Sequence, residues 1–536
     1  MTLPALGELD AHWRRAKRYL DARDTRAATA ELEAIVTLDP RQPMAWLTLA
    51  RLAGDEQRCR AAVGYARNAA AAVRESGQWR WLADVALLLE GLGESLLAVR
   101  LTQAADQDHP EVMASADRIA QCLGQASFHE DALRVLDAAL ARSAPTLALS
   151  YMRATTLRHL GRKAEATVEY QRCLQLAPGY AAAMLMLAQH DRSADPQAQL
   201  ARVRRTLQQT SPQDHLNTAM LNYALFIHLD AAGDAASAWE ALMHGAAIKR
   251  RSLAWQPERE EERVAAIRAV CQGPFLDPVP ATRDAGHVPI FIMGQPRTGT
   301  TVLERILGNH SQVGSAGELN DFHLQLCWQA DLLVEHVDPV LLRACPNLDF
   351  GAIGRGYRQR TAWRAQGRRF LIDKMPVNFW YAGLIHKAMP DARIVCLVRD
   401  PLDTCFSHLK ELFAGNAYPY SYDPLEAAAQ HLRFRQLLQY WDEVLPGVVL
   451  TVRYEDMVRD PLPVARRVME HCGLPFEPEC VDLLRNQAPS ATASSSQVRE
   501  QLHSRSIGAW RRYAEPLEEA RAWLAARLPP EVFVDR

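Results

Sequence analysis

A glycine-containing loop between an apolar run and a helical pattern is the stretch of this sequence best suited to chemistry. Residues 294–301 are Gly-Gln-Pro-Arg-Thr-Gly-Thr-Thr, and they follow the apolar run Val288 to Met293. Glycines at this spacing let backbone N–H groups close around an anion at the N-terminus of a helix. The sequence therefore predicts a buried strand, an anion-binding loop and a helix.

The cation inside the loop indicates which anion it binds. A nucleoside-triphosphate loop has Lys before its final Ser or Thr, whereas this chain has Thr300 there and carries Arg297 earlier, where a planar guanidinium can fork onto an oxyanion. The loop resembles the 5′-phosphosulfate loop of sulfotransferases that use 3′-phosphoadenosine 5′-phosphosulfate (PAPS); the alternative is an ordinary strand–helix turn. The resemblance implies that the donor-binding residues are Pro296, Arg297, Thr298, Gly299, Thr300 and Thr301.

A second charged motif ends a later apolar run. The sequence Val-Arg399-Asp400-Pro closes the run that begins at Arg393, and Ser407 lies eight residues after the arginine in a predicted helix. An arginine fork and a hydroxyl both suit phosphate oxygens. The motif resembles the sulfotransferase site for the 3′-phosphate of PAPS, which implies that Arg399 and Ser407 bind it. The alternative is a structural ion pair between Arg399 and Asp400.

Two further residues suit proton transfer and charge stabilisation. Glu318 lies in Ser-Ala-Gly-Glu, where a second strand should end, and Lys374 lies in Asp-Lys-Met-Pro at the end of another strand. A carboxylate can take the proton of an acceptor hydroxyl, and an ammonium can stabilise a departing phosphate. Both positions resemble those of tyrosylprotein sulfotransferases. A helix-terminal Glu318, a surface Lys374, and Asp321 or His323 as the base are the alternatives.

The C-terminal part carries weaker motifs of the same resemblance. Tyr454 lies in a Tyr-Glu-Asp strand end that matches sulfotransferases. The region from Ser494 to Tyr513 resembles their cofactor-covering loop, which implies Ser494 at the sulfonate and Arg505 at the 3′-phosphate. A run rich in Ser and Ala is also typical of a mobile linker.

The first half of the chain contains a helical repeat. Three sets of positions recur 34 residues apart, namely Ala98, Ala132 and Ala166; Thr102, Leu136 and Tyr170; and Ala105, Ala139 and Cys173. This period, with small residues at fixed positions, is typical of tetratricopeptide (TPR) repeats, whose helices stack closely where side chains are short. The sequence therefore predicts a TPR solenoid rather than a generic alanine-rich helical domain.

The second half alternates strands with amphipathic helices, which favours a parallel sheet with helices on both faces. The predicted strands are 289–293, 369–373, 393–399 and 447–453. Pro and Gly residues between 274 and 286 mark the boundary between the halves. We therefore predict a multidomain chain with an all-α TPR domain over 1–275, a linker over 276–287 and an α/β, P-loop-like parallel-sheet domain over 288–536.

Composition narrows the class of protein. The 536 residues carry a net charge of −2, which does not favour nucleic acid or an anionic membrane as a partner. The ten cysteines include no Cys-x-x-Cys pair, so neither a zinc knuckle nor a redox motif is indicated. The sequence starts without a signal-peptide pattern, and no apolar run is long enough to span a bilayer. We expect a cytoplasmic, reduced protein.

Taken together, the motifs resemble TPR-containing bacterial sulfotransferases, whose catalytic half is similar to tyrosylprotein sulfotransferase. The resemblance implies PAPS-dependent sulfuryl transfer to a hydroxyl of a protein tyrosine, a saccharide or a small metabolite, with 3′-phosphoadenosine 5′-phosphate (PAP) as product and no required metal. The implied catalytic residues are Glu318, Lys374, Arg297 and Ser494; Arg399, Ser407, Tyr454 and Arg505 join the loop in binding the donor. A peptide partner in the TPR groove and a homodimer are further expectations.

Two other functions fit the same sequence. A P-loop kinase or ATPase would use Asp400 to hold magnesium, although Thr300 in the lysine position argues against it. A TPR scaffold with an inactive second half is the non-enzymatic alternative. Magnesium-dependent ATP binding identifies the first, and turnover of PAPS excludes the second.

Overall fold

The computed structural model describes residues 3–190, 195–280, 286–335, 337–486, 488–489 and 502–533. Contacts within the chain define two compact units. The repeat unit comprises Met1–Thr156 and Asn320–Leu348, and the sheet unit comprises Leu157–Leu319 and Asp349–Arg536.

The described residues before the first strand form only helices, turns and connecting segments. The α-helices are α1 (Leu3–Asp21), α2 (Thr25–Leu38), α3 (Pro43–Asp55), α4 (Cys59–Ser76), α5 (Leu82–Gly91), α6 (Ser95–Gln103), α7 (Pro110–Met113), α8 (Ala116–Gln125), α9 (His129–Arg142), α10 (Leu147–His159), α11 (Lys163–Leu176), α12 (Ala181–His190), α13 (Pro196–Gln209), α14 (His215–Ala232), α15 (Ala235–Arg251) and α16 (Pro257–Val270). Short 3₁₀ helices occur at Trp79–Trp81 and Gly273–Leu276.

The positions of the 34-residue repeat are buried on these helices. Ala98, Ala132 and Ala166 lie on α6, α9 and α11 with exposed fractions of 0%, 0% and 3%. The remaining repeat positions are buried as well, namely Thr102, Leu136, Tyr170, Ala105, Ala139 and Cys173. The short alanine side chains among these positions let neighbouring helices approach closely. The predicted all-α repeat architecture of the first half is confirmed.

The second half alternates strands and helices. The strands are β1 (Val288–Gly294), β2 (Val313–Ser315), β3 (Phe370–Asp373), β4 (Arg393–Val398) and β5 (Val449–Arg453). The α-helices are α17 (Thr300–Gly308), α18 (Asp321–Ala330), α19 (Pro339–Ala344), α20 (Phe350–Thr361), α21 (Ala382–Ala388), α22 (Pro401–Leu409), α23 (Pro424–Val444), α24 (Tyr454–Arg459), α25 (Pro461–Cys472) and α26 (Glu518–Ala525). The 3₁₀ helices are Cys345–Asn347, Ala362–Ala365, Pro376–Tyr381, Pro419–Tyr422, Pro478–Val481, Leu483–Arg485, Ala509–Tyr513 and Pro530–Val532.

The five strands form one parallel sheet in the order β2-β3-β1-β4-β5. In β1, Ile290 lies opposite Ile372 of β3, and Ile292 lies opposite Val395 of β4. These four side chains are fully buried, as expected of a parallel sheet that helices cover on both faces. The predicted strands and α/β fold are confirmed, and β2 ends at Ser315, where a second strand was expected to end.

The segment between β2 and β3 that carries α18 and α19 belongs to the repeat unit. Arg60 on α4 donates its backbone N–H to Asp331 Oδ1 at 2.8 Å. Its guanidinium donates to the carbonyl oxygens of Trp328 at 3.0 Å and Gln329 at 2.8 Å. Trp328 and Leu333 pack against the apolar core of the repeats. The compact units therefore differ from the domains delimited on the sequence, whose boundaries stay a prediction.

The cysteines and helices bear on the physical class of the protein. All ten cysteines are buried. Burial raises the pKa of the Cys396 thiol to about 12, which disfavours the reactive thiolate. Among the described helices, each is too short or too polar to cross a lipid bilayer. The compartment stays a prediction.

Candidate active site

The anion-binding loop predicted from the sequence connects β1 to α17 at the carboxyl edge of the sheet. Its glycines are required because neighbouring atoms leave no room for a side chain. A Cβ on Gly294 would lie 2.6 Å from the carbonyl oxygen of Leu397, and a Cβ on Gly299 would lie 2.4 Å from the ring of Tyr454. Gly299 also adopts a φ of 96° and precedes the first residue of α17. Because the first N–H groups of a helix have no partner within it, the start of α17 offers donors to an anion.

Two buried histidines hydrogen-bond to this loop, one to its backbone and one to a side chain. Arg297 adopts a left-handed φ of 63°, which costs a residue with a side chain about 1–3 kcal/mol unless its surroundings fix it. His408 Nε2 donates to the carbonyl oxygen of Pro296 at 2.8 Å, and His431 Nδ1 donates to Gln295 Oε1 at 2.6 Å. Burial lowers the pKa of His408 to about 4 and the pKa of His431 well below its ordinary value. Both rings are therefore neutral hydrogen-bond donors at physiological pH.

Arg399 follows β4 and connects the loop to two other elements. Its Nη1 donates to the carbonyl oxygen of Arg297 at 3.0 Å and to Ser407 Oγ at 3.3 Å, and its Nη2 donates to the carbonyl oxygen of Ser506. The guanidinium lies 4.6 Å from the ring centroid of Tyr454, whose hydroxyl hydrogen-bonds the Ser506 hydroxyl at 2.7 Å. Its buried Nε has no hydrogen-bond partner among the described residues. The structure thus brings four of the predicted donor-binding residues together, while their roles stay a prediction.

Asp400 caps the helix that carries Ser407. Its Oδ1 accepts hydrogen bonds from the backbone N–H groups of Leu402 at 3.0 Å and Asp403 at 2.9 Å. Its own backbone N–H donates to Glu455 Oε1 at 2.8 Å. Capping uses the carboxylate that the kinase alternative needs for magnesium, so this geometry favours a structural role.

A charge cluster lies at the carboxyl ends of β2 and β3. Lys374 is fully buried, and its ammonium donates to Glu318 Oε1 and lies 3.9 Å from Glu304 Oε2. The backbone N–H of Lys374 donates to the carbonyl oxygen of Gly317 at 2.8 Å, which fixes the strand end against the turn before Glu318. The Glu318 side chain is 39% exposed, so its carboxylate is accessible to an acceptor. Glu318 and Lys374, predicted separately from the sequence, are direct partners.

The remaining candidates for the site are the two alternative bases and two residues of the C-terminal region. Asp321 and His323, the competing bases, lie on α18 in the repeat unit, and His323 Nε2 donates to the carbonyl oxygen of Val334 at 2.7 Å. Arg505 is exposed and precedes Ser506, the residue that Arg399 contacts. Ser494 lies outside the described residues. The predictions for Arg505 and Ser494 therefore rest on the resemblance alone.

Sequence reasoning missed three charged residues near these groups. Glu304 faces Lys374, and Glu411 Oε2 lies 3.7 Å from Arg297 Nε. Lys410 is half-buried with its ammonium 5.2 Å from the ring centroid of Phe406. Burial, with the positive charges of Arg399 and Arg297, lowers the pKa of Lys410 to about 8.

Helical spacing was the signal for Glu304, and closeness along the chain to Ser407 was the signal for Lys410 and Glu411. Glu304 comes four residues after Thr300 on α17. Lys410 and Glu411 come three and four residues after Ser407, where α22 ends. Residues three and four apart share one face of a helix, so Glu304 lies on the same face of α17 as Thr300. Lys410 and Glu411 follow Leu409, the last residue of α22, and are near Ser407 along the chain.

Residues 289–478 match the model of the sulfotransferase family, and this part of the chain is a sulfotransferase-family domain. The chain is 30% identical over 237 residues to an uncharacterized protein of Aquifex aeolicus (strain VF5), a match that covers 43% of this chain and only 31% of that relative. It is 21% identical over 226 residues to a Caenorhabditis briggsae protein named "Putative protein-tyrosine sulfotransferase", covering 41% of this chain and 80% of the relative. The solved sulfotransferase domain of the Synechococcus PCC 7002 olefin synthase shows 21% identity and a TM-score of 0.33, covering 47% of this chain and 99% of that one.

Proposed function

We propose that the sheet unit transfers a sulfuryl group from PAPS to a hydroxyl group of an acceptor. One observation carries the proposal. The strand β1 lies between β3 and β4, so the loop that follows it has Lys374 with Glu318 on one side and Arg399 with Ser407 on the other. Ligands of parallel sheets bind at this carboxyl edge. The order of the strands supports a donor site and an acceptor site that meet at the loop.

The residues on the β4 side fit the two anionic ends of the donor. The start of α17 and the Arg297 side chain suit the phosphosulfate, because backbone N–H groups and a guanidinium bind tetrahedral oxyanions. Arg399 suits the 3′-phosphate because its Nε is buried with no acceptor within the described part of the chain, and the Ser407 hydroxyl lies beside the guanidinium. When bound, the donor supplies an activated sulfuryl group.

The residues on the β3 side suit the transfer itself. Glu318 takes the proton from the acceptor hydroxyl while the acceptor oxygen forms its bond to sulfur. Lys374 donates a hydrogen bond to the phosphate oxygen that leaves sulfur with the bonding electrons. Glu318 therefore exchanges Lys374 for the acceptor hydroxyl before the reaction, an adjustment typical of sites that tighten only with substrates bound.

A phenolic hydroxyl is the acceptor class that we propose to test first. Burial, with the negative charge of Glu318, raises the pKa of Tyr418, and the Tyr418 ring lies edge-on to Phe413 with centroids 4.8 Å apart. Aromatic rings favour packing against another aromatic ring. The name of the Caenorhabditis briggsae relative points to the same class of acceptor. A peptide partner bound by the helical repeats stays a prediction.

Thermal unfolding with PAP, 5′-AMP and ATP–Mg tests the donor site directly. A ligand at 100 times its dissociation constant stabilises the folded protein by about 2.7 kcal/mol. We expect PAP alone to stabilise the wild type, and Arg399→Ala to abolish the effect. Equal or greater stabilisation by ATP–Mg would reject the sulfotransferase function in favour of a nucleotide-triphosphate enzyme.

A further inference from the structure

The ammonium of Lys374 has two carboxylate partners on different elements. Glu318 follows β2 and accepts its hydrogen bond, whereas Glu304 comes from α17 and lies 3.9 Å away, within ion-pair distance but beyond a hydrogen bond. Glu318 was expected as a functional residue, and Glu304 belongs to none of the sequence motifs. The second carboxylate therefore needs an explanation of its own.

A hydroxyl fixes the orientation of the Glu304 carboxylate. Ser315 Oγ donates to Glu304 Oε1 at 2.6 Å, which leaves Oε2 directed toward Lys374. The Glu304 side chain is 12% exposed, compared with 39% for Glu318. Glu304 is thus the less accessible and more firmly held of the two carboxylates, which suits a fixed partner better than a base that meets an acceptor.

The fully buried position of Lys374 explains why a fixed partner is needed. A buried ammonium carries three donors and is strongly unfavourable when they lack acceptors, so Lys374 needs a protein partner in addition to the leaving phosphate oxygen once Glu318 turns to the acceptor. Glu304 is close enough to take over the hydrogen bond after a shift of about 1 Å. Because Glu304 lies on the helix that starts at the loop, it also ties Lys374 to the donor site.

We propose that Glu304 is a positioning residue that holds the Lys374 ammonium in place while Glu318 is engaged with the acceptor hydroxyl. The inference deepens the proposed function and rests on it. Glu304 itself transfers no proton; it acts on the reaction through Lys374.

Kinetics of single and double variants test this dependence. We expect Glu304→Gln to lower kcat about 10- to 100-fold, the loss typical of removing a partner that orients a functional group, with the KM for PAPS nearly unchanged. In a Lys374→Ala background the same substitution should lower kcat less than about twofold, because the residue through which it acts is gone. An equal loss in both backgrounds, or no loss in the wild type, would overturn the proposal.

Two further variants separate this role from general damage. Ser315→Ala releases the Glu304 carboxylate and should lower kcat in the same direction by about threefold, again only while Lys374 is present. Glu477→Gln is the matched control, since Glu477 also accepts a serine hydroxyl, that of Ser311 at 2.5 Å, and lies beside His310. This control should keep wild-type kcat; a loss equal to that of Glu304→Gln would contradict the specific role.

A stability measurement decides the inference even if the enzyme assay shows no turnover. In Glu318→Gln, Lys374 depends on Glu304 alone, so the unfolding temperature of the double variant Glu304→Gln/Glu318→Gln should fall further than the sum of the single shifts, by about 2 °C or more. Additive shifts would overturn the inference. Absence of PAPS turnover in the wild type would instead reject the proposed function. The stability result would still decide whether Glu304 holds Lys374 when Glu318 is absent.

Discussion

On the donor side of the loop, Arg399 is 6% exposed and donates hydrogen bonds to Arg297, Ser407 and Ser506, which come from three different elements. On the acceptor side, Glu318 is 39% exposed and hydrogen-bonds Lys374. The donor side is therefore preassembled, with hydrogen bonds that need not break when the donor binds. The acceptor side pairs Glu318 with Lys374, a pairing that the proposed mechanism requires to be exchanged in each reaction cycle.

Glu318→Gln tests the acceptor side and should give the largest effect. We expect kcat to fall about 10²- to 10⁴-fold, because the amide cannot accept the proton of the acceptor hydroxyl. Stabilisation by PAP should remain, since the donor side does not depend on Glu318. Steady-state sulfuryl transfer at saturating PAPS measures the first quantity, and thermal unfolding measures the second.

Asp321→Asn is the matched control for the base. The proposed function assigns proton transfer to Glu318, so we expect the Asp321 variant to keep kcat within about twofold of the wild type. A large loss in Asp321→Asn together with near-normal activity in Glu318→Gln would transfer the base to Asp321.

Arg399→Ala tests the donor side. Truncating one partner of a buried, hydrogen-bonded charge pair costs about 2–5 kcal/mol, so kcat/KM for PAPS should fall at least about 30-fold. Arg399→Lys should recover only part of this loss because an ammonium cannot bind bidentately. Arg453→Ala is the control, since Arg453 donates to the carbonyl oxygen of Glu531 near the surface; an equal loss there would indicate a general charge effect.

Gly299→Ala tests how closely the loop backbone is packed. The added Cβ would clash with the Tyr454 ring, and the φ of 96° at this position is strained for a residue with a side chain. The free energy of unfolding should therefore fall by about 1–3 kcal/mol, and PAP should bind more weakly. Gly64→Ala on α4 is the control, because a Cβ there meets nothing within 4 Å. That substitution should raise stability by about 0.5–1 kcal/mol. Equal effects in urea unfolding would show that the loop is not tightly packed.

The pH dependence of PAP binding gives the smallest expected effect. The pKa of Lys410 is lowered to about 8, so this side chain is charged below pH 8 and becomes neutral above it. PAP affinity should therefore fall about 3- to 10-fold as the pH rises through 8, since one cation near the anionic ligand is lost. The other charged groups that act on Lys410 are Arg399, Arg297, Asp230 and Asp403.

Lys410 variants separate this titration from others. Lys410→Arg should keep the low-pH affinity and lose the dependence on pH, because arginine stays charged. Lys410→Met should bind PAP weakly and equally at both pH values. Calorimetric titrations at pH 7 and pH 9 measure both, and an unchanged pH dependence in the two variants would show that another group titrates.

The sequence alone predicted those parts of the candidate site whose residues lie close together along the chain. The loop after β1 and the Arg399–Ser407 motif were found because a strand, a turn and one helical turn fix their relative positions within a few residues. Contacts between distant segments were not accessible in this way. Glu304 and Lys374 are 70 residues apart, and their approach depends on the pairing of β1 with β3. Arg505 was expected at the donor site, whereas Ser506 is the residue of that segment whose contact with Arg399 the structure describes.

The fold class was predictable for a similar reason. Repeat period and strand–helix alternation are statistical properties of long stretches, so single deviations did not obscure them. The membership of α18 in the repeat unit was not predictable, because the side chains that bind it, such as Arg60, are not distinguished by local pattern.

The packing of Trp328 and Leu333 into the repeat core has a consequence for synthesis on the ribosome. Domains generally fold as units, N-terminal first, while the chain is being made. Here the repeat unit includes Asn320–Leu348, so its packing is complete only after β1, α17 and β2 have also emerged. Nascent repeats therefore keep part of their apolar surface uncovered until Trp328 is made, 252 residues (328−76) after the end of α4. A fragment ending near residue 275 should for this reason aggregate more readily than the full chain.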